Sequence, residues 1–145
     1  MAAGIPLLLW AAAVPNLTGT WKLNVEKSNW GKKEKPTSVI VQIEHNEPAW
    51  KYTGAITLPN SEEKTFAFDG ATDGKERDAT SAYGPGKMTI RRVNRFTITS
   101  TFRTNDGRYT ETANTNSTDG RVLTRRMHLK SPDGDVSWVE IYEKQ

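Results

Sequence analysis

Five Asp-Gly pairs punctuate the chain: Asp69-Gly70, Asp73-Gly74, Asp106-Gly107, Asp119-Gly120 and Asp133-Gly134. Between the last three lie strand-length runs in which apolar and polar residues alternate. A tight hairpin turn needs positive φ angles, which Asp and Gly tolerate, so Asp-Gly between alternating runs marks a hairpin. Successive side chains of a strand point to opposite faces, so each such turn also decides which residues share a face. The C-terminal half therefore reads as consecutive antiparallel hairpins. Only Ala71 and Thr72 separate the first two pairs, too little to hold a strand. Those pairs read as one compact acidic loop that interrupts the meander.

The N-terminal half follows the same period of two. Thr18 to Val25, Ser38 to His45 and Trp50 to Ile56 read as strands, and Glu26 to Pro36 as a long loop, with or without a helical turn. Thr65 to Phe68 is a short strand, Lys75 to Thr80 a weak edge strand, and Ala82 to Gly86 a loop able to approach a ligand or cap a barrel mouth. The last strand, Val136 to Glu143, is apolar on both faces, as expected of a strand that closes a barrel and meets the N-terminal segment. No helical period stands out. The expected fold is all-β, an antiparallel up-and-down (meander) barrel of about eight to ten strands, since closure removes exposed sheet edges.

Met1 to Pro15 is uncharged and rich in Leu and Ala, like the apolar region of a secretory signal, although no Lys or Arg precedes it. Ala11 and Ala13 offer an A-x-A cleavage pattern, so a cut after Ala13 is expected. The expected organisation is residues 1–15 as signal or apolar N-terminal segment and residues 16–145 as a single barrel domain. The expected location is periplasmic or secreted. A bilayer span takes ~20 apolar residues, so no stable membrane insertion is expected once the signal is removed. Cysteine is absent, which excludes disulfides and thiolate chemistry. The 20 basic and 17 acidic residues are interspersed, and Lys32, Lys33 and Lys35 form the longest basic cluster. Nucleic-acid binding normally shows a basic stripe with exposed aromatics, so no nucleic-acid partner is expected. Nothing in the sequence sets an oligomeric state.

Placing the apolar residues inward puts polar ones beside them. Arg92, Glu111 and Arg125 fall on the inner face by register, as does Tyr52, and Glu140 joins them if Trp138 and Tyr142 point in. Buried charge needs a partner, and these Arg and Glu residues can neutralise one another. They would then orient an amphipathic ligand in a small apolar barrel, lined by Trp50, Tyr52, Arg92, Glu111 and Arg125. The alternative arrangement puts the charges near the barrel ends, in reach of solvent. Trp30 and Tyr83 lie in loops, where aromatics serve ligand capture or fold back over the core.

Signals for chemistry are sparse. His45 and His128 lack metal-ligand spacing, and Asp69, Asp73, Glu76 and Asp78 lack the pattern of a calcium loop, so neither metal nor cofactor is expected. No Gly-x-Ser-x-Gly elbow marks a nucleophile. Glu111 and Glu140 remain candidate acid and base for a small barrel hydrolase or isomerase. A third possibility is a pocketless barrel acting through its surface.

Gly19-Thr20-Trp21-Lys22-Leu23-Asn24 resembles the Gly-x-Trp strand that opens lipocalins and related calycin barrels. The same start, together with Ser131-Pro132-Asp133-Gly134 and the closing Tyr142-Glu143-Lys144, is similar to a group of small exported lipocalin-like proteins of soil bacteria. The resemblance implies a ligand-binding barrel. It assigns Gly19 and Trp21 structural roles, with Trp21 packed at the barrel floor against a basic side chain from a late strand. Arg125 or Arg126 would supply that cation, stacked on the indole. The chain departs from lipocalins in lacking both a disulfide and a C-terminal helix.

Overall fold

Alternation becomes ten antiparallel strands in residues 14–145, the part of the chain that the computed structural model describes. In order they are β1 (Gly19–Leu23), β2 (Ser38–Asn46), β3 (Ala49–Thr57), β4 (Glu63–Ala71), β5 (Arg77–Ser81), β6 (Gly84–Asn94), β7 (Thr97–Thr104), β8 (Thr110–Asn116), β9 (Val122–Ser131) and β10 (Gly134–Lys144). Each strand pairs with its neighbours in sequence, and β1 pairs with β10 to close the barrel. This is the expected meander barrel, at the upper end of the expected strand count. The apolar stretch up to Ala13, and the cleavage expected after it, lie outside the described residues.

The last three Asp-Gly pairs turn hairpins, and at the first two of them the Asp side chain shows why; at Asp133-Gly134 the Ser131 hydroxyl holds the turn instead. Gly107 and Gly120 take φ of +74° and +73°. Asp106 accepts from the backbone N–H of Arg108, and Asp119 from those of Arg121 and Val122. The Asp side chain thus holds the turn that the Gly permits. Asp73-Gly74 is a turn of the same kind, with Asp73 accepting from Lys75 N–H and Gly74 at φ +77°.

Asp69-Gly70 is different and corrects the sequence expectation. It lies within β4, with Gly70 opposite Trp50 of β3. A Cβ on Gly70 would sit 2.6 Å from both the Phe68 ring and the Arg77 side chain, so this glycine serves close packing rather than a turn. The expected loop at Ala82 to Gly86 also shortens. Gly84, Pro85 and Gly86 belong to β6, leaving Ala82 and Tyr83 as the connection.

A meander sorts its connections between two ends. The β1–β2 loop (residues 24–37) shares one end with the β3–β4, β5–β6, β7–β8 and β9–β10 hairpins. The incoming chain, the C-terminus and the other four connections share the opposite end. β1 is short, and beyond it the upper part of β10 is paired by the loop instead: Asn24 N–H donates to Ile141 O, and Asn29 and Val139 exchange both backbone bonds. That pairing stands Trp30 over the barrel end, buried, with its indole N–H donating to Val25 O at 3.0 Å. The core is the inner face of the barrel, where Trp21, Phe68, Ile90 and Phe102 are almost fully buried.

Candidate functional site

The interior is not filled. A cavity of about 320 Å³ runs down the barrel from the end that carries Trp30. Trp30, Lys33, Pro36, Leu58 and Tyr83 line its mouth, and Tyr83 stacks on Tyr109 with ring centroids 4.7 Å apart. Apolar side chains from many strands wall it, among them Trp50, Phe66, Ile90, Phe102 and Met127. Lys33 of the long loop reaches over the Trp138 ring, 5.1 Å from its centroid.

One side of the wall is charged. Arg125 on β9 and Glu140 on β10 are register partners, and Arg125 Nη1 donates to Glu140 Oε1 at 3.3 Å. Glu140 also accepts from Trp138 Nε1 at 2.7 Å and from Tyr142 Oη at 3.0 Å. Trp138, Glu140 and Tyr142 alternate along β10, which is why one strand face supplies the carboxylate and two of its donors. Burial works against the Arg125 charge, but Glu140, Tyr142 and Glu111 hold its pKa above the usual value. Tyr52 on β3 donates to Met88 Sδ at 3.3 Å, and burial pushes its hydroxyl well above the ordinary range.

Glu111 on β8 completes this wall and differs from Glu140. Among the described residues its carboxyl has no hydrogen-bond or salt-bridge partner, although it lines the cavity. Burial pushes its pKa up to about 7, Arg125 and Lys33 pull it down, and Glu140 pushes it up. A carboxyl at that value is part protonated near neutrality, so it both donates and accepts.

The structure thus brings Trp50, Tyr52, Glu111, Arg125 and Glu140 to one cavity, as the register argument expects. Arg92 is not among them. It points inward but lies at the far end of β6, where its Nε and Nη2 donate to Glu47 at 2.8 and 2.7 Å. Glu47 also accepts from Thr72 Oγ1 at 2.7 Å and faces His45 Nε2 at 2.9 Å. Leu17 N–H donates to His45 Nδ1, so the ring proton sits on Nε2 and is given to Glu47. This network closes the floor. Burial raises the Glu47 carboxyl, but the hydrogen bonds from His45, Arg92 and Thr72 outweigh it and hold the group well below the usual range.

Trp21 is fully buried at the floor, donating its indole N–H to Leu17 O at 2.8 Å. The cation beside it is Lys144, 6.0 Å from the ring, whose side chain also lies against Gly19. Arg125 is in the cavity wall and Arg126 is exposed on the outer face of β9, so neither fills the place expected for it. The partner of Trp21 comes from the C-terminal strand because Trp21 and Lys144 are opposite one another in the β1–β10 register. His128 pairs outward with Ser137 at 2.8 Å, and Asp73 forms a two-pronged pair with Arg77.

No protein-family model and no curated protein matches this chain. Solved structures do. The zebrafish ileal bile acid-binding protein, complexed with cholic acid, is 17% identical, with a TM-score of 0.57 over 88% of this chain and 98% of its own. The Schistosoma mansoni fatty acid binding protein, in complex with arachidonic acid, is 15% identical, with a TM-score of 0.59 over 92% of this chain and 98% of its own. At such identities the likeness is one of fold: this chain has the calycin-type ten-stranded barrel that the Gly19-Thr20-Trp21 opening suggests.

Proposed function

We propose that this protein binds a small amphipathic molecule inside its barrel. The observation that carries the reading is the cavity of about 320 Å³, held open in a closed barrel, apolar over most of its wall and charged on one side. Protein interiors otherwise pack like organic crystals, and a mostly apolar hollow with a few convergent polar groups is the usual form of a small-molecule site. The volume counts against a packed barrel that acts only through its surface. Two proteins of the same fold were solved with cholic acid and arachidonic acid, both amphipathic. The setting that goes with this reading is a bacterial periplasm or the outside of the cell, supported by the apolar stretch and A-x-A pattern ending at Ala13.

A second reading, acid–base catalysis in the same cavity, is favoured by one observation: Glu111 is pushed up to about 7 beside an open volume. Binding is the stronger reading because Glu140, the carboxylate beside Glu111 in the wall, is tied to Arg125, Trp138 and Tyr142, and Glu34 is exposed. Native mass spectrometry on protein isolated without denaturation tests the proposal. The expected spectrum shows a retained small molecule, released when the barrel is unfolded. Protein that stays free of adducts after exposure to a broad set of amphiphiles would count against binding.

A further inference from the structure

The cavity lining carries three basic side chains, Lys33, Lys64 and Arg125, and three acidic ones, Glu34, Glu111 and Glu140. Glu34 is exposed and Lys64 pairs with Glu62, so the charged groups set inside the barrel are Arg125, Glu140 and Glu111. We propose that the occupant is uncharged, an aliphatic alcohol whose hydroxyl hydrogen-bonds to Glu111; this rests on the binding function above.

Each charged head group meets an opponent. A carboxylate would depend on Arg125, which already faces Glu140 at 3.3 Å, and would lie beside the Glu111 and Glu140 carboxyls. An ammonium would depend on Glu111, whose carboxyl already feels Arg125 and Lys33. Below Lys33, Lys64 and Glu34 at the mouth, Arg125 is already engaged by Glu140 and the Glu111 carboxyl is part protonated near neutrality, so neither sign of head group finds a free full counter-charge to offset the cost of leaving water. A hydroxyl needs no counter-charge. It donates to an ionised carboxyl and accepts from a protonated one.

The surroundings of Glu111 support that match. Arg125 faces it from β9, Glu140 from β10 and Lys33 from the long loop, with Tyr83 of the β5–β6 turn and Tyr52 of β3 also in electrostatic reach. Its cross-strand partners, Phe102 and Leu129, carry no charge. Burial brings Glu111 to about 7, so both protonation forms are present near neutrality and a hydroxyl satisfies either.

Calorimetric titration at neutral pH with octanol, octylamine, octanoate and octane tests the assignment. Octanol is expected to bind tightest, by roughly fivefold or more, the worth of one added hydrogen bond. In Glu111→Leu the octanol-to-octane ratio should fall toward unity, whereas Glu111→Gln, which still donates and accepts, should keep most of it. Octanoate or octylamine binding tightest to the wild type would overturn the proposal, and that ranking decides the matter even if a variant fails to fold. An unchanged ratio in folded Glu111→Leu would also overturn it. Octane binding with no gain for octanol would remove the head-group assignment and leave the binding function standing. Binding of none of the four would remove both.

Discussion

Arg125 Nη1 lies 3.3 Å from Glu140 Oε1 across the β9–β10 register, and the pair neutralises itself inside the cavity wall. Trp138 and Tyr142, from the same strand face, complete the hydrogen bonding of Glu140. Arg125 is therefore a component of the wall as much as a group on offer to a ligand. Glu111, beside them, lines the cavity with no hydrogen-bond or salt-bridge partner among the described residues.

The pair should show itself in stability. Arg125→Met leaves Glu140, whose side chain is 12% exposed, without its cation. Stranding a buried charge in this way typically costs ~3 kcal/mol. Adding Glu140→Gln removes the stranded charge, so the double variant should be more stable than Arg125→Met alone. Urea denaturation of the three proteins measures this coupling. Additive losses would show that the two groups are screened by solvent.

Glu111 should make stability depend on pH in an unusual direction for a carboxylate. Its folded pKa is raised from 4.5 to about 7, so the folded state holds its proton longer than the unfolded state does. The stability it contributes is complete below its ordinary value and is lost as pH rises through about 7. Glu111→Gln lacks this dependence. Between about pH 4 and about pH 8 the variant should gain on the wild type by on the order of 2–3 kcal/mol. A difference that stays constant across that range would show that Glu111 titrates as an ordinary exposed carboxylate.

Glu47 should behave in the opposite way. Its carboxyl is held below the usual range by His45, Arg92 and Thr72 against the effect of burial. The stability it adds is present above the ordinary carboxylate value and is lost as pH falls toward the depressed one. Glu47→Gln should therefore be clearly less stable than the wild type at neutral pH, with the gap narrowing in acid. Arg92→Leu should cost ~3–5 kcal/mol at neutral pH, since it strands a carboxylate at the floor. Neither variant removes a group from the cavity lining, so an effect of Arg92→Leu on ligand affinity in folded protein would place Arg92 back in the binding site.

How far the sequence carried depended on whether a residue acts locally or across the barrel. Asp106-Gly107 and Asp119-Gly120 were legible as turns because the Asp side chain and the Gly backbone do their work within a few residues. Those turns set the register of β8 and its neighbours, which faces Glu111 and Arg125 inward, and the period of two in β3 and β10 does the same for Tyr52 and Glu140. Gly70 follows an Asp like the turn glycines, but its reason is not local: the Phe68 ring and the Arg77 side chain crowd the place of a Cβ. Arg92 faces inward as the period of two expects, but at the floor and not in the cavity. Period two says which way a side chain points and nothing about how far down the barrel it sits. Its partner Glu47, at the β2–β3 turn, had one available signal: an inward Arg at a strand end needs a carboxylate from a connection at the same end. The cation beside Trp21 was Lys144 because β1 pairs with β10, a closure that only the complete strand count reveals.

The binding site itself is tested most directly by blocking it. Ser100 lines the cavity from β7. Ser100→Phe puts a ring into the open volume, and overpacking of that kind costs ~1–3 kcal/mol, which thermal melting would register in a protein that still folds. Calorimetric titration of both proteins with the octyl alcohol, amine and acid is the decisive measurement. The expected result is saturable binding of one molecule per wild-type chain and its loss in Ser100→Phe. No saturable binding by the wild type, or undiminished binding by folded Ser100→Phe, would contradict a ligand site inside the barrel.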